Sequence, residues 1–230
     1  MDSHQLDIVS LAWCRELGLP DDALRRPGTR TVGPATDTIR FVRLGGASAL
    51  IGPEWLLARA ADVTDETLAS RSTLVELTRD HGGRCTGPRL LAYASEVHAD
   101  IDVDNPLISH VLPHVQALQS LCPPDDVAEA DLTSRRNWFT LLDEDENPLA
   151  GAGYAEWQGI VARVAVLTAP GTRRCGHGSV VGRLCTNDAI DEGMIPQWSS
   201  DPGNTPSRRL AARLGFEELG SVTEITLAAP

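Results

Sequence analysis

One stretch limits most of what this chain can fold into. From Ile160 a β-branched, apolar run reaches Val166-Leu167-Thr168-Ala169-Pro170, the segment Gly171-Thr172-Arg173-Arg174-Cys175-Gly176-His177-Gly178-Ser179 follows, and Val180, Val181, Leu184, Cys185 and Ala189 then fall on one helical face before Gly193. The spacing predicts a strand, a loop and a helix laid on a sheet. Glycines at 176 and 178 let the backbone come close to something at a helix N-terminus, where unpaired N–H groups point back into the loop. Arg173-x-x-Gly176-x-Gly178 therefore suits a phosphate, although a glycine-rich turn that only joins two elements would produce it too.

The residues downstream narrow the choice. Met194-Ile195-Pro196-Gln197-Trp198 reads as a short strand, and Pro196, unable to donate a ladder hydrogen bond, predicts a splayed edge at that point. In Asp201-Pro202-Gly203-Asn204-Thr205-Pro206-Ser207, Thr205 can cap a helix and Pro206 can take its first position. Ser207, Leu210, Ala211 and Leu214 share a face, and Gly215 stops that helix. Phe216 to Leu219 and Val222 to Leu227 read as two closing strands joined at Gly220-Ser221.

In this order and at these separations, the strand ending at Pro170, the Arg173-x-x-Gly176-x-Gly178 loop and Asn204-x-x-Ser207-x-x-Leu210 with Leu214-Gly215-Phe216 resemble the GCN5-related N-acetyltransferase (GNAT) superfamily. The resemblance covers about Asn137 to Leu227. It implies an α/β (α+β) fold: a mixed, mainly antiparallel sheet with helices on both faces, here with an N-terminal α/β extension. It also implies an acetyl-CoA site. Backbone groups of Val166 and Thr168 would pair with the pantetheine arm, and Arg173 would lead a loop whose amides, from Arg174, Cys175, Gly176, His177, Gly178 and Ser179, hold the pyrophosphate. Asn204 and Ser207 match positions beside the lower part of the cofactor.

Two departures from the family pattern bear on catalysis. Many relatives place a tyrosine after the leucine matching Leu210 to protonate the departing thiolate, and this chain has Ala211. Many carry a glutamate base early in the strand before the loop, where this chain reads Ile160-Val161-Ala162-Arg163. Glu156 is a candidate replacement, against the plainer reading of an exposed hairpin glutamate. Ser207 is a second conceivable proton donor. A thioester is already activated, so positioning and backbone polarisation supply much of the rate, and direct attack by an amine is expected. Cys175 and Cys185 read as structural rather than as acyl carriers.

Composition removes other classes. The formal charge is −12, and all twenty basic residues are arginine; that bias is read as the coding habit of a GC-rich bacterial genome. An acidic chain does not suit nucleic acid, although it would suit a cationic amine. The cysteines at 14, 85, 122, 175 and 185 show no zinc spacing and suggest a reducing compartment. Met1-Asp2-Ser3-His4 is not a secretion signal and no apolar run is long enough to span a membrane, so a cytoplasmic location is expected.

Leu6 to Leu17 is a predicted helix stopped by Gly18, and Asp21 to Pro34 reads as loop. Thr38 to Leu44 and Ala47 to Ile51 form an expected hairpin, Pro53 opens a helix, and a further helix runs from Leu68 to Arg79. Arg89 to Ala94 is taken as the first core strand and Ser109 to Leu121 as the first core helix. An acidic helix to Ala130 follows, whose Asp125, Asp126 and Glu129, with Asp131, could meet a cationic amine. Trp138 to Leu142 and Leu149 to Trp157 form the next hairpin. No metal site is expected: Asp100-x-Asp102-x-Asp104-Asn105 lacks the glycine of a calcium loop, and Pro113 disturbs the His110 and His114 pair. Residues 1–86 then form an extension and 87–230 the acetyltransferase core. The extension could complete an acceptor pocket, support a homodimer or cover a sheet face. The leading function is acetyl-CoA-dependent acetylation of a primary amine on a small molecule or protein. A non-catalytic acyl-CoA-binding module is the alternative, and a structural domain the third.

Overall fold

Asp2 starts the first helix, its carboxylate accepting from the Gln5 N–H at 2.8 Å while the Gln5 side chain accepts from the Asp2 N–H. Gly18, left-handed at φ 64°, ends it. The computed structural model describes residues 1–35, 38–97 and 107–227. In chain order the elements are α1 (Ser3–Leu17), β1 (Arg30–Pro34), β2 (Thr38–Leu44), β3 (Ala47–Gly52), α2 (Glu54–Arg59), α3 (Asp65–Leu68), α4 (Arg71–Leu77) and β4 (Arg84–Tyr93). Then come β5 (Ile108–Ser109), α5 (Leu112–Ser120), α6 (Pro124–Ala130), β6 (Arg136–Leu142), β7 (Pro148–Trp157), β8 (Val161–Thr168), α7 (His177–Asp191), β9 (Ile195–Ser200), α8 (Thr205–Arg213) and β10 (Glu217–Thr226). No helix of the described residues is long and apolar enough to cross a membrane.

The chain forms two compact units. One takes Met1–Ala92, Ser199–Thr205 and the described residues from Glu218 on; the other takes Tyr93–Trp198 and Pro206–Glu217. In the first, the strands run in the order β1, β3, β2, β10, β4. β2 is antiparallel to both β3 and β10, and β1 is parallel to β3. Ile39, Phe41, Leu50, Leu56, Leu68, Leu74 and Ile225 fill its core, each contributing on the order of 1.5–3 kcal/mol by leaving water.

Several expectations are corrected here. The loop expected through Pro34 contains β1, because an edge strand tolerates the proline and glycine that argued against one. The helix expected from Leu68 to Arg79 is broken at Ser70, which is extended at φ −78°, ψ 126° and shares a hydrogen bond with the Ser72 hydroxyl at 2.7 Å. The turn expected at Gly220-Ser221 does not form: β10 runs straight through it, registered on β2 from Gly220↔Leu44 to Thr226↔Thr38. Gly220 is there because the strands press together, and a Cβ on it would lie 2.0 Å from the Arg43 carbonyl oxygen.

In the second unit the order is β9, β8, β7, β6, β5. β5 to β8 are antiparallel in succession, and β8 pairs with β9 in parallel. The strand beside β6 is the two-residue β5, and Arg89 to Ala94, taken as the first core strand, belongs largely to β4 beside β10. Ile108 and Ser109 being in a strand, the helix expected from Ser109 starts only at Leu112, with Pro113 in its first turn. On one face, Val115, Leu118, Ala130 and Leu132 close over Leu167 and Ala169. On the other, α7 lies against β6, β7 and β8 through its buried Val181, Leu184, Cys185 and Ala189.

Candidate active site

The parallel ladder between β8 and β9 is short. It runs from Val161↔Ile195 to Val164↔Trp198, and β8 continues to Thr168 with no β9 partner among the described residues. The splayed edge expected at Pro196 itself does not form, and the gap follows two residues later. Pro196 lies inside the paired part, opposite Ala162, where its carbonyl accepts from the Ala94 N–H at 3.1 Å, and the strands part beyond Trp198.

What β8 presents to that gap follows from its other edge. The Ala169 N–H donates to the Leu149 carbonyl at 3.0 Å, and the register is Ala150↔Thr168. Thr168 thus sits in a non-hydrogen-bonded pair, so it and Val166, two residues back, turn their N–H and C=O away from β7 and toward the parted edge. The Val166 N–H and C=O and the Thr168 N–H are open to an extended guest. The Thr168 carbonyl is not idle: it accepts from Arg173 Nε at 3.3 Å and from the Cys122 thiol at 3.8 Å.

β8 leads directly into the loop. Arg174 (φ 68°) and Gly176 (φ 90°) are both left-handed, and the chain turns back on itself before α7. Among the described residues, the N–H groups of Arg174, Cys175, Gly176, His177 and Gly178 have no main-chain acceptor, while Ser179 donates to the Gly176 carbonyl at 2.8 Å. Five of the six expected amides therefore remain for an anion, and Ser179 is committed within the helix. The buried Nδ1 of His177 also lacks a partner. A cluster of unpaired donors at the head of a 15-residue helix fits a phosphate, with a dipole contribution of roughly 0.3–1 kcal/mol.

The two loop glycines do different work. A Cβ on Gly176 would meet nothing within 4 Å, so its missing side chain leaves the open side of the loop clear. Gly178 is buried, and a Cβ there would lie 3.0 Å from Thr168 Oγ1 and 3.5 Å from both Leu210 Cδ2 and Val166 Cγ1. It brings α7 onto β8 and α8 rather than facing the loop's mouth.

Arg173 faces neither way into the loop. Besides Thr168 it binds Asp126 Oδ2 at 2.6 Å, stitching the loop to α6. Asp126 is thereby occupied, and Asp131 accepts from the Ser134 hydroxyl, so at least two of the four carboxylates expected around a cationic amine already have partners. Ser207 accepts from the Trp198 indole N–H at 2.9 Å, fixing the start of α8 to the strand end where the ladder parts. Asn204 lies in the first unit, its N–H donating to the Asp201 carbonyl at 2.9 Å. Glu156 is exposed beside Ala162, on the closed side of the parting point. About 20 Å of strand separates Ala162 from Thr168 at ~3.3 Å per residue. Ala211 is 4% exposed and packed in the core.

Both tyrosines of the chain brace this fork, which the sequence did not announce. Tyr154, opposite Val164, donates to Asp188 Oδ2 at 2.8 Å and accepts from Asn137. Burial and the neighbouring carboxylate push its phenol well above the ordinary range. Tyr93 accepts from Gln197, the residue before Trp198, at 2.7 Å, with both side chains buried. An isolated tyrosine in an apolar strand carries no signal that its hydroxyl will find a partner on a distant element. Cys185 is fully buried, which raises its thiol pKa and makes an acyl-cysteine route unworkable there, while Cys175 is exposed in the loop. His110 Nδ1 meets the Trp138 carbonyl and His114 Nδ1 the Ser109 hydroxyl. Among the described residues no three His, Cys, Asp or Glu side chains converge on a metal position. The Asp100 to Asn105 segment lies outside the described residues.

Residues 143–225 match the family model described as FR47-like protein. Among solved structures, a GNAT-family acetyltransferase from Novosphingobium aromaticivorans is 21% identical, covering 64% of this chain and 69% of its own, with a TM-score of 0.52. A GNAT-family acetyltransferase from Colwellia psychrerythraea is 15% identical, covering 77% and 75%, with a TM-score of 0.50. At these identities the likeness is one of fold. No curated protein matches the chain.

Proposed function

From the premise that this chain has the fold of the GNAT acetyltransferases and carries an FR47-like segment, we propose that it is an acetyl-CoA-dependent N-acetyltransferase acting on a primary amine. The acceptor is a small molecule or a protein. One observation carries the proposal: β8 leaves its parallel partner after Val164 and runs, with the Val166 rung and the Thr168 N–H open, into a loop of unpaired amides at the head of α7.

The residues divide the work by position. The amides of 174–178 would hold the diphosphate, and Val166 and Thr168 would align the pantetheine as an added strand. Bound acetyl-CoA supplies a thioester, an activated acyl group with a stable thiolate leaving group. The Val166 N–H, turned into the gap near the parting point, is the donor placed to polarise the acyl carbonyl. Trp198, tied to Ser207 and lying edge-on to Phe216 at 5.5 Å between ring centres, anchors β9 where its ladder with β8 ends. The amine attacks directly, and the chain's contribution is chiefly orientation and preorganised dipoles.

Calorimetric titration with acetyl-CoA, followed by thiol release with a panel of amines, tests this reading. Saturable binding with amine-dependent thiol release is expected, and absence of binding would defeat it. The second reading, a non-catalytic acyl-CoA-binding module, is favoured by the buried Ala211 and by Glu156 standing away from the parted edge; binding without thiol release across the panel would select it. Arg173→Ala is expected to raise the acetyl-CoA Kd only about two- to fivefold, roughly the worth of one partly exposed ion pair. Its guanidinium fastens the loop to α6 and Thr168, and the amides do the holding.

A further inference from the structure

The first unit contains a pocket of about 630 Å³, within the ~300–1,000 Å³ usual for small-molecule sites. Arg30, Arg43, Leu50, Leu57, Asp65 and Glu66 line it. Nothing in the acetyl-transfer reading uses it. The two ion pairs in its wall differ sharply. Arg30 is locked: Nε donates to Asp65 at 2.6 Å, one terminal nitrogen to the Ala60 carbonyl at 3.1 Å and the other to the Val63 carbonyl. Arg43 and Glu66 stand 3.8 Å apart with side chains 41% and 78% exposed, a loose pair of the kind that contributes little.

A second, independent observation lies on the same sheet face. Ser48 is 1% exposed, and its hydroxyl has no hydrogen-bond partner. It is registered against Arg43 on β2 and Arg30 on β1, so its side chain points to the face where those two arginines line the pocket. A buried hydroxyl left without a partner is uncommon and costly in a native fold.

We propose that this pocket binds an α-amino acid with an aliphatic side chain. The ligand's carboxylate takes Arg43 from Glu66, forms the bidentate pair that guanidinium geometry favours, and draws the Ser48 hydroxyl, which lies beneath the lining on the same sheet face, up to donate to it. Its ammonium meets the released Glu66, and its side chain rests on Leu50 and Leu57. One loose ion pair is exchanged for two. The lining charges sum to zero, two arginines against two carboxylates, so a zwitterion leaves none unopposed. A plain carboxylate would strand Glu66 and a plain amine would strand Arg43.

The test is calorimetry of the full chain with L-leucine, isocaproate (no amine) and isopentylamine (no carboxylate). Saturable one-site leucine binding is expected, with each half-ligand at least about tenfold weaker. Arg43→Gln should weaken leucine binding about tenfold or more. Ser48→Ala should weaken it several-fold while leaving the melting temperature unchanged or higher, because it removes an unsatisfied buried group. Absence of saturable leucine binding, equal affinity for either half-ligand, or full leucine affinity in folded Arg43→Gln would overturn the proposal. None of these readouts involves acetyl-CoA, so this inference and the acetyltransferase reading fail separately.

Discussion

Gly176→Glu is expected to abolish acetyl-CoA binding, raising Kd at least about a hundredfold, near 2.7 kcal/mol, in calorimetric titration. Three effects act in one direction. The glycine sits at φ 90°, where a side chain costs on the order of 1–2 kcal/mol. Its Cβ would project into open space at the loop's mouth, touching nothing of the protein within 4 Å, which is where a diphosphate on the five unpaired amides has to lie. A carboxylate there also repels that diphosphate. The fold should survive, because no packing contact is lost, so a circular dichroism spectrum like that of the wild type must accompany the loss. Retained micromolar affinity in the folded variant would show that the loop does not bind the cofactor. Gly178, equally prominent in the sequence, is the poorer probe. A side chain there strikes Thr168 and Leu210 and would lift α7 from the sheet, so lost binding would not distinguish a blocked site from a damaged one.

Gly220→Ala is expected to destabilise the first unit by about 3 kcal/mol, the range of severe overpacking. The added methyl would start 2.0 Å from the Arg43 carbonyl oxygen and 3.1 Å from the Leu44 Cα. These are backbone atoms that cannot rotate away, so β10 must separate from β2. Chemical denaturation followed by circular dichroism reads the shift. Because the chain forms two units, acetyl-CoA affinity at low denaturant provides a separate readout, expected to fall less than with Gly176→Glu. A change below about 0.5 kcal/mol, the size of an ordinary surface substitution, would mean that the strands do not run as close as described.

The local signals were strong wherever a residue type has few conformational uses. Gly18 as a helix stop, the Gly45-Gly46 hairpin and the strand, loop and helix around Pro170 were legible because glycine and proline restrict the backbone within a few residues of themselves. Failures occurred where a partner far along the chain decided. β1 forms because β3 offers it an edge, and β10 is continuous because β2 accepts it at close range. The strand beside β6 is β5, a two-residue pairing that no periodicity can reveal.

The sequence by itself determined that an apolar strand ends at Pro170, that the following turn needs Gly176, and that a helix with its N-terminal amides uncovered begins there, since each rests on the chemistry of neighbouring residues. Only the tertiary structure decided that β8 and β9 part after Val164 and Trp198, that Arg173 turns to Asp126, and that both tyrosines brace the fork. The physical reason is that a backbone rung is open or closed according to which strand arrives beside it, and an ion pair or a buried hydroxyl takes whatever partner the packing brings within 3 Å. Neither is encoded in the spacing of residues along one segment.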